Sequence, residues 1–412
     1  MKTTLKFLAG FLVTLCIAGH AQVVPEATGP GTLKASEKLQ YAVRYAETGE
    51  FSTSFPDWQT STVSGSIGYE SSNEHLPFTL DYAGGYTWTL TGPDYQSGQF
   101  HRLFLAQGIA SRQWKLLLSD DVCYLQQSPT TGFSGIPGTG EPIGGTSPAP
   151  PSSSESILTL NTHALSNITA GELSYAPSAA TTLSFGGGFG LLRFPNNDGL
   201  NTNSLSANAL FMRQLNGRNA LSGSYLFSQF SYPGYSDTFE MNAALFGAER
   251  KWTRNLTTTV AGGPQWITSS TTTVVPSSTN VAANAAVSYR LRFASASVGY
   301  SRGANGGAGY LIGGQVDSLT GGLSRDFGTN FTLGLSGGFR RTAGLNNNGT
   351  TNGTFGGAET TWHLGRSIIV FANYTGENQT TTSPLPSSAL NQLLQVIGFG
   401  VGYSPREPRG KQ

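Results

Sequence analysis

Residues 284–302 read NAAVSYRLRFASASVGYSR. In the first half, Ala285, Val287, Tyr289 and Leu291 alternate with Ala286, Ser288, Arg290 and Arg292. In the second, Ala294, Ala296, Val298 and Tyr300 alternate with Ser295, Ser297 and Gly299. Alternation with period two puts one set on each face of an extended strand, so the stretch predicts two β-strands about a very short turn. One face of the hairpin is apolar and the other is small, polar or charged.

The same layout recurs downstream of residue 157. Short turns are predicted near Pro177–Ala180, Leu215–Arg218, Trp252–Asn255, Arg292–Phe293, Asp326–Asn330 and Leu364–Arg366. Longer polar segments lie between them, at 196–204, 232–238, 269–280, 303–307, 344–353 and 380–389. Strand, short turn, strand, longer loop is the layout of an up-and-down barrel. The strand segments run to about 9–14 residues, against about 5–6 in a usual soluble strand and about 9–11 in a tilted membrane strand. Earlier, Gly98–Gln107 and Arg112–Tyr124 form a further hairpin, and Leu39–Tyr45, Val63–Tyr69 and Phe78–Thr89 are three more strand candidates. The expected fold is all-β, a transmembrane antiparallel up-and-down barrel of about 16 strands, within a range of 14–18.

Composition agrees. Only 11% of the residues are charged, with 54 glycines among 412, whereas a soluble domain carries roughly 25% charge. A lipid-facing barrel needs an uncharged outer band and a polar lumen. The formal net charge is +1, with no polybasic tail, so nucleic acid is not an expected partner.

Residues 1–21 have the parts of a secretory signal: Lys2 and Lys6, the apolar run Phe7–Ala18, and Gly19-His20-Ala21 before cleavage. Residues 22–36 read as an amino-terminal arm, 37–404 as the barrel, and 405–412 as a polar tail. Within the barrel, 125–156 is a Pro/Gly/Ser-rich stretch, expected to be an outer loop, or else a linker that would make 22–124 a separate β-domain. Cys123 is the lone cysteine after the leader, expected as a buried or lipid-facing thiol.

Apolar sets should face lipid and small or polar sets the lumen. Leu205, Ala207, Ala209 and Phe211 oppose Ser206 and Asn208, and Phe331, Leu333, Leu335 and Phe339 oppose Thr332, Ser336 and Arg340. Leu393, Ile397, Phe399, Val401 and Tyr403 oppose Gly398, Gly400 and Gly402. Candidate lumen-facing charges are Arg290, Arg292, Arg340 and Glu240, with Arg213 as a further one. They are few and mixed in sign, which predicts no strong ion selectivity. Candidate girdle aromatics are Tyr124, Trp252, Trp266, Tyr300, Trp362, Tyr374 and Tyr403, because amphipathic rings favour the headgroup level.

Four segments carry a resemblance: SPTTGFSGIPG at 128–138, SYLFSQFSYP at 224–233, ERKWTRNLTTTVAGGPQW at 249–266 and GFGVGYS at 398–404. With them the chain resembles the outer-membrane β-barrel proteins of Gram-negative bacteria, in particular a group of predicted barrels common in acidobacterial genomes. The resemblance implies outer-membrane localisation, and outer-membrane lipid and the barrel-assembly machinery as partners. Such barrels end in an aromatic residue on the last strand. Here Tyr403 takes that place, but the chain continues past it.

Catalytic and cofactor signatures are missing: there is no Walker loop, HExxH or CxxC. His75, His101, His163 and His363 are scattered, and Asp120-Asp121 fits a solvated acidic pair rather than a rim cation site. No cofactor and no enzymatic activity are expected. Three readings follow: a channel or transport barrel for small polar solutes, a non-conducting barrel whose outer loops bind a partner, or a secreted soluble β-protein. Both an open and a plugged lumen fit the sequence.

Overall fold

The computed structural model describes residues 38–53, 57–71, 73, 75–92, 97–127, 162–195, 199–235, 238–270, 275–306, 312–328, 330–345, 349–365, 367–382 and 392–403. The leader, the arm, the tail and most of the Pro/Gly/Ser stretch lie outside the described residues.

All the described secondary structure is strand: β1 (Lys38–Ser52), β2 (Trp58–Glu70), β3 (Phe78–Thr91), β4 (Gly98–Ala110), β5 (Trp114–Gln127), β6 (Thr162–Ser178), β7 (Thr181–Arg193), β8 (Thr202–Gln214), β9 (Asn219–Ser231), β10 (Thr238–Lys251), β11 (Leu256–Ser269), β12 (Ser278–Arg290), β13 (Ala294–Asn305), β14 (Gly314–Phe327), β15 (Phe331–Gly344), β16 (Thr350–Leu364), β17 (Ile368–Thr382) and β18 (Gln392–Tyr403). Each pairs antiparallel with its sequence neighbours, and β1 pairs with β18, from Val43↔Tyr403 to Ser52↔Leu394. The sheet is therefore a closed barrel of 18 strands.

The count falls at the top of the expected range rather than at 16. All three amino-terminal candidates are wall strands, and β1 to β5 are continuous with the rest of the sheet. The strands are 12 to 17 residues long, enough at about 3.4 Å per residue to cross an apolar band of about 25 Å while tilted.

The two faces differ as the curvature requires. On the convex face side chains splay apart, and large apolar residues stand open: Phe246 is 75% exposed, Phe399 57% and Val298 54%. On the concave face side chains converge, and small residues there are covered, such as Ala46 and Thr62 at 2% each. The exposed apolar series runs round the whole barrel, through Val43, Val63, Tyr86, Leu118, Phe185, Leu205, Leu221, Val260, Val287, Leu319 and Ile397. A soluble monomer does not carry a belt of this extent, which removes the secreted soluble reading.

Aromatic pairs mark the short-turn end. Trp114 stacks on Tyr175 at 4.2 Å, Phe327 meets Phe331 at 5.7 Å, Tyr69 meets Phe78 at 6.2 Å, and Tyr41 meets Tyr403 at 6.3 Å.

The Val287↔Val298 pair lies on the outer face. Val298→Arg should destabilise the barrel by about 2–4 kcal/mol, the cost of a cation on the lipid face. Ser297→Arg, one residue earlier and facing inward, should cost much less. Urea titration of protein refolded into liposomes, followed by tryptophan fluorescence, measures both.

Candidate functional site in the barrel lumen

Parity with the exposed series assigns each strand residue to a face. Arg290 and Arg340 fall on the inner face, paired with Ser295 and with Ser318 and Gly353. Arg292 lies in the turn between β12 and β13, its guanidinium over the Phe293 ring. Glu240 falls on the outer face, in line with Asn242 and the exposed Phe246, and accepts a hydrogen bond from Gln229 Nε2. Its inward placement is therefore corrected. The inward residues of the loop-end half of β10 include the apolar Phe239, Met241 and Leu245, which pack inside the barrel. Arg213, paired with Thr181 and Leu221, also faces outward.

Among the girdle candidates, Trp362 and Tyr403 stand at the short-turn end and Trp252 in a short turn. Tyr124 and Trp266 stand towards the loop end, and Tyr300 and Tyr374 lie nearer mid-strand. The four aromatic pairs of the short-turn end include Trp114, Tyr175, Phe327 and Phe331, none of them among the girdle candidates. For Phe327 and Phe331, aromatics opposite one another across a tight turn are the signal that could have found them; Trp114 and Tyr175 meet across β5 and β6, which no tight turn joins.

Asp120 and Asp121 separate, because successive strand residues face opposite ways. Asp121 points inward and takes a two-point ion pair from Arg102, Nε to Oδ1 at 3.2 Å and Nη2 to Oδ2 at 2.9 Å. Asp120 points outward and accepts from Asn167 Nδ2 at 3.1 Å and from Thr169 Oγ1. Cys123 is on the inner face, level with Arg102, and partly buried, so it is not lipid-facing. His101 is on the outer face against Tyr82, its Nδ1 2.9 Å from the phenol oxygen. Among the described residues no cluster of His, Cys, Asp and Glu that could hold a metal ion forms.

The inner wall has two unlike sectors. From β7 to β14 its inward small or polar residues are Gly186, Gly188, Asn208, Ser206, Ser224, Thr259, Asn284, Ser297, Thr320 and others of that kind, beside the apolar ones of β8 to β11. Among the described strand residues of that sector the only ionisable inward groups are at the short-turn rim: Glu249, Lys251, Arg290 and Asp326. Lys251 Nζ lies 3.5 Å from Glu249. The described charges deeper in the lumen come from β1 to β6 and β15 to β17: Arg44, Glu50, Asp81, Arg102, Asp121, Glu172, Arg340, Glu359 and Glu377. Both signs occur there, with carboxylates in excess.

The loop end is partly filled. Inward Phe230, Phe239, Met241 and Ile267 of β9 to β11 form one buried cluster with Tyr232, Val275 and Ala304, and Leu200, Ile312 and Leu345 pack against it. Phe230 and Phe239 stack at 4.9 Å. Since the cluster includes inward wall residues, the described loop residues Tyr232, Val275, Leu200, Ile312 and Leu345 pack on the lumen side of the mouth. Two glycines permit the approach: a Cβ on Gly306 would strike the Phe230 ring, and Gly313, at φ 76°, would strike Phe239 and Leu345. Tyr232 Oη donates to the Gly306 carbonyl at 2.9 Å. Arg193 ties the β7–β8 loop by donating to the Leu192 and Thr202 carbonyls and to Asn203 Oδ1. Across the lumen, Thr62, Glu359, Gln379 and Leu394 are also buried. The interior is not an empty cylinder.

No family model matches the chain, and no curated protein matches it. Solved structures with similar backbones include OccK2 (OpdF) of Pseudomonas aeruginosa, at 13% identity and a TM-score of 0.49, covering 90% of this chain and 97% of that one. OccAB4 of Acinetobacter baumannii is at 10% and 0.49, covering 92% and 99%. The outer membrane protein OpdK of Pseudomonas aeruginosa is at 9% and 0.44, covering 89% and 99%. At these identities and TM-scores the likeness says nothing of role or substrate.

Burial holds the Tyr232 phenol above its ordinary range near pH 10. A group whose folded pKa is raised contributes stability below its unfolded pKa and loses it as the pH rises towards the folded value. The mouth cluster should therefore loosen above about pH 10, seen as faster proteolysis of its loops. Tyr232→Phe should remove that pH dependence and cost about 1 kcal/mol at neutral pH through the lost hydrogen bond.

Proposed function

We propose that the chain is an outer-membrane channel for small polar solutes, without strong charge selectivity. The supporting observation is the composition of the inner wall of a closed barrel. Away from the apolar mouth cluster, β7 to β14 offer mainly hydroxyls, amides and bare glycine backbone, while the opposite sector carries cations among more numerous carboxylates, with Arg102 and Asp121 already neutralising each other. Such a wall hydrates a polar solute, and its paired charges offset one another in part. The covered mouth narrows the path, which favours small solutes over large ones.

Barrel-assembly machinery is the partner expected during biogenesis. Tyr403 ends the last strand on the outer face, where it is 48% exposed beside the β1–β18 seam.

One observation favours the second reading, a non-conducting barrel whose loops bind a partner: the mouth cluster and the opposite buried arc both occupy the interior. Refolded protein in a planar lipid bilayer distinguishes the two. The channel reading expects stepwise currents and a reversal potential close to zero in a tenfold KCl gradient. Asp121→Asn, which removes one lumen carboxylate, should shift that potential in the anion-selective direction. Absence of stepwise current contradicts the channel reading and supports the second.

A further inference from the structure

We propose that the short-turn rim of the barrel is a binding collar for the phosphate headgroups of anionic phospholipids in the surrounding leaflet. The inference rests on membrane embedding and is independent of whether the lumen conducts.

Outward-facing cations gather at this end. Arg213 on β8, Arg250 on β10 and Arg325 on β14 occupy outward positions within a turn's reach of the rim, as shown by their pairing with Leu221, Thr258 and Leu333. The short turns add Arg112, Arg218, Arg254 and Arg292. All seven are exposed. None of them is within ion-pair distance of a carboxylate among the described residues.

Carboxylates are distributed the opposite way. Among the described strand residues the outward ones are Glu47, Asp120, Glu240 and Asp317, each at mid-strand or in the loop-end half. The described rim carboxylates Glu70, Glu249 and Asp326 face inward, Glu249 beside Lys251 and Asp326 accepting from Thr332 Oγ1. Among the described residues the outward short-turn rim therefore carries cations and no carboxylate.

Three of the arginines are also posed. The Arg250 guanidinium lies 4.0 Å over the Trp252 ring, Arg292 lies 4.9 Å over Phe293, and Arg325 lies 4.8 Å over Phe327. The Trp252 ring is itself fixed by its Nε1 donating to Thr258 Oγ1 at 3.1 Å. A guanidinium over an aromatic face on an exposed side chain still has N–H donors free for a phosphodiester, which it can bind with two parallel hydrogen bonds. Aromatic rings at a barrel rim sit at headgroup depth, so what meets these edges in a membrane is the lipid headgroup. Net positive charge at that level favours anionic over zwitterionic lipid.

The test uses the full chain, refolded and purified from mixed micelles of phosphatidylglycerol and phosphatidylcholine, with retained lipid counted by native mass spectrometry. Wild-type protein should retain phosphatidylglycerol in preference to phosphatidylcholine by roughly tenfold or more, and 0.5 M NaCl should weaken the preference, with a Debye length then of only about 4 Å. Arg250→Gln/Arg292→Gln/Arg325→Gln together should abolish most of it. Arg341→Gln, an outward cation at the loop end, should leave it intact. Heat-modifiable gel migration verifies that each variant is a folded barrel. If the triple variant does not fold, Arg292→Gln alone, in a turn, should still lower the preference. Equal retention of both lipids by wild type, an unchanged preference in the folded arginine variants, or an equal loss in Arg341→Gln would overturn the proposal.

Discussion

Inside a bilayer a backbone N–H or C=O has no water to bond with, so a sheet in lipid must have no free edge. Everything else in this molecule depends on the seam that meets that demand. β1 and β18 join over ten residue pairs, Val43↔Tyr403 to Ser52↔Leu394. The seam also fixes parity for the whole ring. Tyr45 opposite Val401 and Gly49 opposite Ile397 keep the apolar series outward across the join. A slip of one residue would turn β18 over and put its glycines Gly398, Gly400 and Gly402 into lipid and its apolar side chains into the lumen.

Closure explains the mixed lumen as well. A ring of 18 strands encloses more space than wall side chains fill, and this chain fills part of it from the loop end. Phe230, Phe239, Met241 and Ile267 turn inward where an aqueous wall would want polar groups, and Tyr232, Val275 and Ile312 come down from the loops to cover them. The outcome is a barrel with a partly roofed mouth, a neutral sector of hydroxyls and amides, and a charged sector opposite.

The hairpin pattern and most of the short turns were legible because both are local. A period-two alternation needs only neighbouring residues, and a tight turn leaves its Gly, Asn and Arg signature within a few positions. The strand count was less so: β1, β2 and β3 each read as a strand, but only the seam shows that all three are needed. Face assignment failed at Glu240, where the rule that apolar means lipid was inverted by the mouth cluster. Met241 and Leu245 are apolar yet face inward, packing on residues of other strands and loops, so Glu240, of the opposite parity, faces outward. The same non-locality hid the Arg102–Asp121 pair, which joins adjacent strands. The cationic collar was hidden too: its arginines are scattered singly through the sequence and meet only when the turns are brought to one rim.

The central claim, a closed wall with one face in lipid, returns to residues 284–302. Spin labels placed singly at 285 to 290, in a Cys123→Ser background and in liposomes, report access to oxygen and to a water-soluble nickel chelate. The account predicts oxygen access highest at 285, 287 and 289 and low at 286, 288 and 290, with no nickel access at the first three. Labels that show no period of two, or nickel access on both faces, would contradict it.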